Sequence, residues 1–218
     1  KALTKKDKNV LRVNAFSLSS NGKPLIQNLS FDIADGHVLS IMGPSGIGKS
    51  SLLNFLSGTL APSFTASGEA FLNGDALHTK PTEMRKVGLL QQMPLLFPHM
   101  SIIENLLFAL PDKTRKPDRL VLAHDALKRL GMTDKANSLP KELSGGQQAR
   151  VALLRTLLSQ PHYLLLDEPF SKLDPALRRD VRAFVLAEIR QANIPALLVT
   201  HDSEDAKAME GECLELRK

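Results

Sequence analysis

The stretch "VLSIMGPSGIGKSSLLNFLSG", Val38 to Gly58, decides the fold. Five residues, four of them apolar, run directly into a glycine-rich turn, and an apolar-periodic segment follows until Gly58. Strand, glycine loop and helix are the setting in which G-x-x-x-x-G-K-[ST] becomes a phosphate cradle. Gly43-Pro44-Ser45-Gly46-Ile47-Gly48-Lys49-Ser50 fills every fixed position of that pattern, and Ser51 continues it. The glycines let backbone N–H groups close around phosphate oxygens, Lys49 neutralises their charge, and Ser50 offers a hydroxyl to Mg²⁺.

Outward from this loop the chain reads as α/β. "VLRVNAFSL" alternates Leu11, Val13 and Ala15 with polar neighbours, the period of a half-buried strand. A second strand ends at the Asp35-Gly36 turn. Residues 59–92 read as antiparallel strands flanking the core, "SGEAFLNGDAL" with its Asn73-Gly74 turn and "RKVGLLQ". From Pro94 to about Gly146 the signals are helical: Leu120, Ala123, Leu127 and Leu130 share a face closed by Gly131, and "PDKTRKPD" before them reads as a flexible connection. Helix from Val151, a buried strand in "HYLLLDEP", a helix carrying Val181, Val185 and Ile189, and a strand in "PALLVTHD" complete the chain. Near-continuous apolar strands alternating with helices predict a parallel sheet covered on both faces. The expected organisation is one domain over 1–218, with a core of 1–92 and 151–218 and a helical insertion over about 93–150.

Bulk properties exclude more than they select. The 218 residues are 43% hydrophobic and 23% charged, ordinary for a folded globular chain. One cysteine, Cys213, rules out an internal disulfide and reads as a small apolar residue. No apolar run approaches the roughly 20 residues that span a bilayer. The net charge of +5 comes partly from "KALTKKDK", and one Tyr without Trp gives no aromatic-basic interleaving, so nucleic acid is not an expected partner.

Two further motifs carry chemistry. In "LLLDEP", Asp167 ends a buried strand and would emerge at the carboxyl edge of the sheet, beside the phosphate loop, where it would hold Mg²⁺. Glu168 then reaches the attacking water as base or positioner. In "LPKELSGGQQARVALLR", Leu139 to Arg155, Ser144-Gly145-Gly146 opens a helix. A hydroxyl, free N–H groups and a helix N-terminus make a second anion cradle, although the same residues by themselves suit an ordinary N-cap.

The combination of phosphate loop, "LSGGQ", "LLLDEP" and "VTHD", in that order, resembles the ATP-binding subunit of ABC transporters. The resemblance covers nearly the whole chain. It implies an ABC-type P-loop NTPase core, mainly parallel, with an antiparallel β-subdomain and an inserted α-helical subdomain. It also implies ATP and Mg²⁺ as cofactors and ATP hydrolysis as the activity. Further roles follow from it: Gln92 contacts metal and water, "SKLD" brings Asp174 to a dimer seam, and His201 meets the γ-phosphate. Two copies would meet head to tail, with Ser144, Gly145, Gly146 and Gln147 of one facing the ATP on the other's Lys49 loop.

The remaining expectations rest on the same resemblance. Metal ligands would be Ser50, Gln92 and Asp167, and catalytic groups Glu168, His201 and Gln92. The chain ends about 17 residues after His201, so permease subunits are expected as separate chains, with a solute-binding protein, on the cytoplasmic face of the inner membrane. "DEPFSKLD" and "LLFPHMSIIENL" look most like bacterial small-solute importers, while exporters and soluble non-transport ATPases of the type are the alternatives. Met93–Met100 matches the region that receives a permease helix. Two positions depart from the family. Ser20 stands where an adenine-stacking aromatic is usual, with Phe16 the nearest aromatic, and Gln91 replaces another frequent aromatic. Weak base discrimination is the expected consequence.

Overall fold

A computed structural model describes residues 10–93 and 95–217; the basic N-terminal octet and Pro94 lie outside the described residues. Two sheets share one core. Strands β1 (Val10–Ser20), β2 (Lys23–Ala34), β4 (Phe64–Leu72) and β5 (Asp75–Ala76) form an antiparallel sheet in the order β2-β1-β4-β5. Strands β3 (Val38–Met42), β6 (Val87–Leu90), β7 (Tyr163–Asp167), β8 (Ala196–Val199) and β9 (Glu212–Glu215) form an all-parallel sheet in the order β6-β7-β8-β3-β9.

Helix α1 (Lys49–Ser57) lies between the sheets, and its Leu52, Leu53 and Leu56 join Leu11, Val13 and Phe16 of β1 and Ile41, Leu165 and Val199 of the parallel sheet in one cluster. The opposite face of the parallel sheet is covered by α5 (Pro175–Ala192) and part of α4 (Gly145–Leu158). With both faces buried, β3, β7 and β8 have no polar face to show, which is why they read as near-continuous apolar runs, broken only by the buried Ser40 in β3 and by Asp167 at the end of β7. Val181, Val185 and Ile189 form the buried stripe of α5, as their spacing predicts. A third cluster joins α2 (Ile102–Ala109), α3 (Lys116–Arg129) and the outer side of α4 through Leu106, Leu127, Val151 and Leu154. The short helix α6 (Ser203–Ala208) precedes β9.

Several expectations are corrected. "RKVGLLQ" is not an antiparallel flank: β6 pairs in parallel with β7, Val87 opposite Tyr163. A short apolar strand carries no mark of its partner. This one is admitted by Gly88, where a Cβ would lie 2.7 Å from Thr156 Cγ2. The helix expected from Val151 starts six residues earlier, at Gly145, behind a capping box at Ser144. In "PDKTRKPD", Lys116–Asp118 already form the first turn of α3, tied by an Arg115–Asp118 ion pair of 2.8 Å. Leu120 is exposed, so the buried stripe of α3 begins a turn later, at Ala123. Strand β9 has no apolar periodicity to mark it in the sequence; Cys213 lies exposed on it. The hairpin at Asn73-Gly74 forms as expected, both residues at positive φ, the requirement of a two-residue turn matched to strand twist.

Candidate functional site

Four loops leave the carboxyl ends of neighbouring parallel strands. After β3 comes the loop Gly43–Gly48, after β6 Gln92, after β7 Glu168 and after β8 His201. The first three border a cleft of about 330 Å³ lined by Ser45, Gly46, Gly48, Lys49, Ser50, Ser51, Gln92, Asp167 and Glu168, with Leu25 and Phe64 at its edge, while His201 lines an adjoining recess with Pro44, Ser45 and Glu168. The correction to β6 matters here: only as a parallel strand beside β7 does it deliver Gln92 to this edge.

The phosphate loop is held by packing beneath it. Gly48 has φ 104, and a Cβ there would sit 2.8 Å from Leu18 Cδ2 and 3.3 Å from Ile26 Cδ1. Any side chain would therefore meet strain and a clash together. Gly48 caps α1 without a side-chain bond, and the first turn of α1 carries no acidic residue, so its N–H groups and dipole are open to an anion. Lys49 is buried, its ammonium donating to the carbonyl oxygens of Gly43 at 2.7 Å and Pro44 at 3.0 Å. Those bonds hold the charge over the loop.

Ser50 Oγ donates to Asp167 Oδ1 at 3.0 Å, joining the residues expected to share a metal. Burial pushes the Asp167 carboxyl up, the Ser50 bond pulls it down, neighbouring Glu168 raises it and Lys49 lowers it; the balance is upward. A half-buried carboxylate at the cleft wall, with its ionised form disfavoured, is a favourable place for a divalent cation. Hydroxyl, carboxylate and amide oxygen are the hard donors that suit Mg²⁺.

Glu168 is a second focus. Its φ of 47 lies in the left-handed region, which costs an L-residue about 1–2 kcal/mol, and its N–H donates to Val199 O at 2.9 Å. That turn aims the carboxylate away from Asp167. Its Oε1 lies 3.0 Å from His201 Nδ1, while Oε2 accepts from Gln92 Nε2 at 3.4 Å. Gln92 Nε2 also donates to Ser171 Oγ at 3.2 Å, and Ser171 Oγ donates to the Glu168 carbonyl at 2.9 Å. Three loops thus meet on one carboxylate.

The other expected residues lie elsewhere. Ser144 and Gly145 are exposed, Gly146 is buried, and none of Ser144, Gly145, Gly146 or Gln147 lines the cleft. Ser144 Oγ accepts Gln147 N–H while Gln147 Oε1 accepts Ser144 N–H, so the hydroxyl does serve as a helix cap. Asp174 caps α5, its Oδ1 accepting Leu177 N–H at 3.1 Å, and it too lies outside the cleft. Phe16 is unavailable to a base, being fully buried with its ring centroid 4.8 Å from that of Phe55.

Sequence reading missed two features. Phe64 lines the cleft, although only pairing of β4 with β1 brings it there. Asp205, fully buried, accepts from Thr200 Oγ1 at 3.0 Å, Arg178 Nη2 at 2.8 Å and Arg182 Nε at 2.7 Å, fastening the His201 loop to α5. A buried acid one turn after a strand end has no signature until its arginines are in place.

Comparison with known protein families matches residues 26–171 to the family described as ABC transporter. Among curated proteins, the chain is 45% identical over 199 residues to "Uncharacterized ABC transporter ATP-binding protein YnjD" of Escherichia coli K12, covering 91% of this chain and 92% of that protein. It is 39% identical to "Thiamine import ATP-binding protein ThiQ" of Photobacterium profundum, over 85% of this chain and 77% of the relative. It is 37% identical to "Spermidine/putrescine import ATP-binding protein PotA" of Legionella pneumophila strain Lens, over 92% of this chain but only 54% of the relative, so the chain spans about half the length of that protein. With this match laid over the phosphate loop, the Asp167–Glu168 strand end and the Ser144 helix cap, the chain belongs to the ABC transporter family, with the fold and phosphate loop of the family's ATP-hydrolysing subunit.

Proposed function

We propose that this chain binds and hydrolyses Mg²⁺-ATP as the energising subunit of an importer for a small solute, working as a head-to-tail pair with a second copy. The observation that carries the reading is the division of its anion-binding parts. Lys49, Ser50, Gln92, Asp167 and Glu168 line one cleft, whereas Ser144, Gly145 and Asp174 are exposed away from it. A cleft furnished on one side only is suited to completion by another copy's exposed helix N-terminus.

In this reading the triphosphate lies along Gly43–Ser50, with Lys49 countering charge on the β- and γ-phosphates. Ser50, Asp167 and Gln92 would hold Mg²⁺, which when bound neutralises charge on the phosphate oxygens. Glu168 orients the water and takes its proton as the water oxygen bonds to the γ-phosphorus and the bond to the β-phosphate oxygen breaks. His201, in contact with Glu168, donates to the γ-phosphate. The partner copy's Ser144–Gln147 segment covers charge that one copy leaves exposed. Loss of one preorganised donor of this kind typically lowers rate by about 10²–10³.

The membrane partners are separate permease subunits, with a solute-binding protein delivering cargo, and the chain attaches peripherally at the cytoplasmic face. Among the described residues no helix is long and apolar enough to cross a bilayer. Import is supported by the names of the thiamine and spermidine/putrescine relatives. The docking surface is the exposed apolar set of Met93 and Leu95, on a loop that Asn105 holds in shape, and Phe108 of α2. The helical insertion over about 93–150 turns as the pair closes.

The deciding experiment is hydrolysis per molecule against protein concentration, with Glu168→Gln examined by light scattering in excess Mg²⁺-ATP. The specific rate should fall on dilution, and the variant should accumulate as a nucleotide-bound dimer. A constant specific rate down to monomeric dilution overturns the paired site.

A further inference from the structure

Beyond the phosphates, the cleft has an apolar end whose residues no part of the mechanism uses. It is formed by Leu25 of β2 and Phe64 of β4. Ser20, where the family usually places its base-stacking aromatic, pairs directly with Phe64 in the antiparallel ladder of β1 and β4. Directly opposed residues of such a ladder project from the same face, with Cβ atoms about 5 Å apart. The register from Ser17 to Ser20 against Ser67 to Phe64 is unbroken, so nothing flips this relation. Leu18, two residues before Ser20 and hence on the same face, is the side chain packed against Gly48. The face that bears Ser20 and Phe64 is therefore the one lying over the phosphate loop. Phe64 is only partly buried, anchored on the core cluster while bordering the cleft.

We propose that Phe64, backed by Leu25, is the nucleobase platform of this protein, the aromatic having moved one strand across from β1 to β4. The inference rests on the triphosphate occupying the Lys49 loop. Stacking uses the π-face common to every base, and Leu25 and Phe64 offer no hydrogen-bonding group to a base edge. The platform therefore admits purine nucleoside triphosphates with little discrimination, and affinities for ATP and GTP should lie within about tenfold of each other.

The chain has no tryptophan, so Phe64→Trp installs a single indole reporter. Binding of Mg²⁺-ATP, Mg²⁺-GTP and inorganic tripolyphosphate would be measured by calorimetry for wild type and Phe64→Ala, and by indole fluorescence for Phe64→Trp. Phe64→Ala should weaken ATP and GTP about tenfold each and leave tripolyphosphate unchanged. Phe64→Trp should bind ATP as wild type does and be quenched by ATP and GTP but not by tripolyphosphate. Unchanged ATP affinity in Phe64→Ala, equal losses of ATP and tripolyphosphate, or an indole indifferent to bound ATP would each overturn the platform. If Phe64→Ala does not fold, the indole response decides. Tripolyphosphate binding that survives Lys49→Ala would instead sink the underlying phosphate-loop reading, and the two failures are thereby separate.

Discussion

Gly146, the buried glycine of the second cradle, is pressed against Leu177 in the first turn of α5; a methyl group at position 146 would overlap both Cγ and Cδ2 of that leucine. Leu177 N–H is also the group that Asp174 caps. Through one van der Waals contact, the helix carrying Ser144 and Gly145 is set relative to the turn carrying Asp174, and the proposed partner-facing elements form one surface.

Gly146→Ala should therefore force α4 and α5 apart, destabilising the protein by about 1–3 kcal/mol, the usual range for overpacking. Leu177→Ala in the same chain removes the obstructing atoms. The double variant should recover much of the loss, and urea unfolding of the two singles and the double measures that coupling.

Asp205 predicts a larger effect. Replacement by Ala leaves Arg178 and Arg182, both mostly buried, without their main counter-charge, although Asp202 still reaches Arg178 at 3.0 Å. Breaking a buried pair in this way typically costs about 3–5 kcal/mol. Because Thr200 loses its acceptor and adjoins His201, kcat should fall more than nucleotide affinity. Denaturation and steady-state kinetics at permissive temperature would separate the two.

Asn105 is fully buried and shapes the loop after β6, donating to the carbonyls of Phe97, Met100 and Ser101 and accepting Phe97 N–H at 2.8 Å. Asn105→Leu takes the side-chain partner from Phe97 N–H and the Met100 carbonyl, at about 1–3 kcal/mol, while the Phe97 and Ser101 carbonyls keep their backbone donors. If this loop is the docking surface, the variant should hydrolyse ATP alone but fail to co-purify with its permease. Retained co-purification would place docking elsewhere.

His162 supplies a pH dependence. Burial, followed by Lys86, Lys80 and Lys113, holds its pKa below the ordinary 6.5. The unfolded chain therefore takes up this proton first as pH falls, and the native state loses stability progressively below pH 6.5. His162→Gln should flatten that part of the acid-unfolding curve, as followed by urea midpoints between about pH 5 and 7.

Some of this protein is written locally. The Lys49 loop, the buried strands of Leu164–Leu166 and Ala196–Val199 and the stripe on α5 depend on residues within one or two turns of each other, so periodicity and glycine placement suffice to find them. The same holds for Asp167 and Glu168 as adjacent acids at a strand end. Pairing is different, because it is an agreement between distant segments. Nothing in "VGLL" says that it lies parallel to β7, nor in "APSF" that Phe64 sits opposite Ser20. Nor does the sequence around Asp205 announce the two arginines of α5 that neutralise it. Local spacing marked the candidates for the chemistry; tertiary packing decided which of them share a cleft, since only long-range contacts offset the entropy of closing the intervening chain.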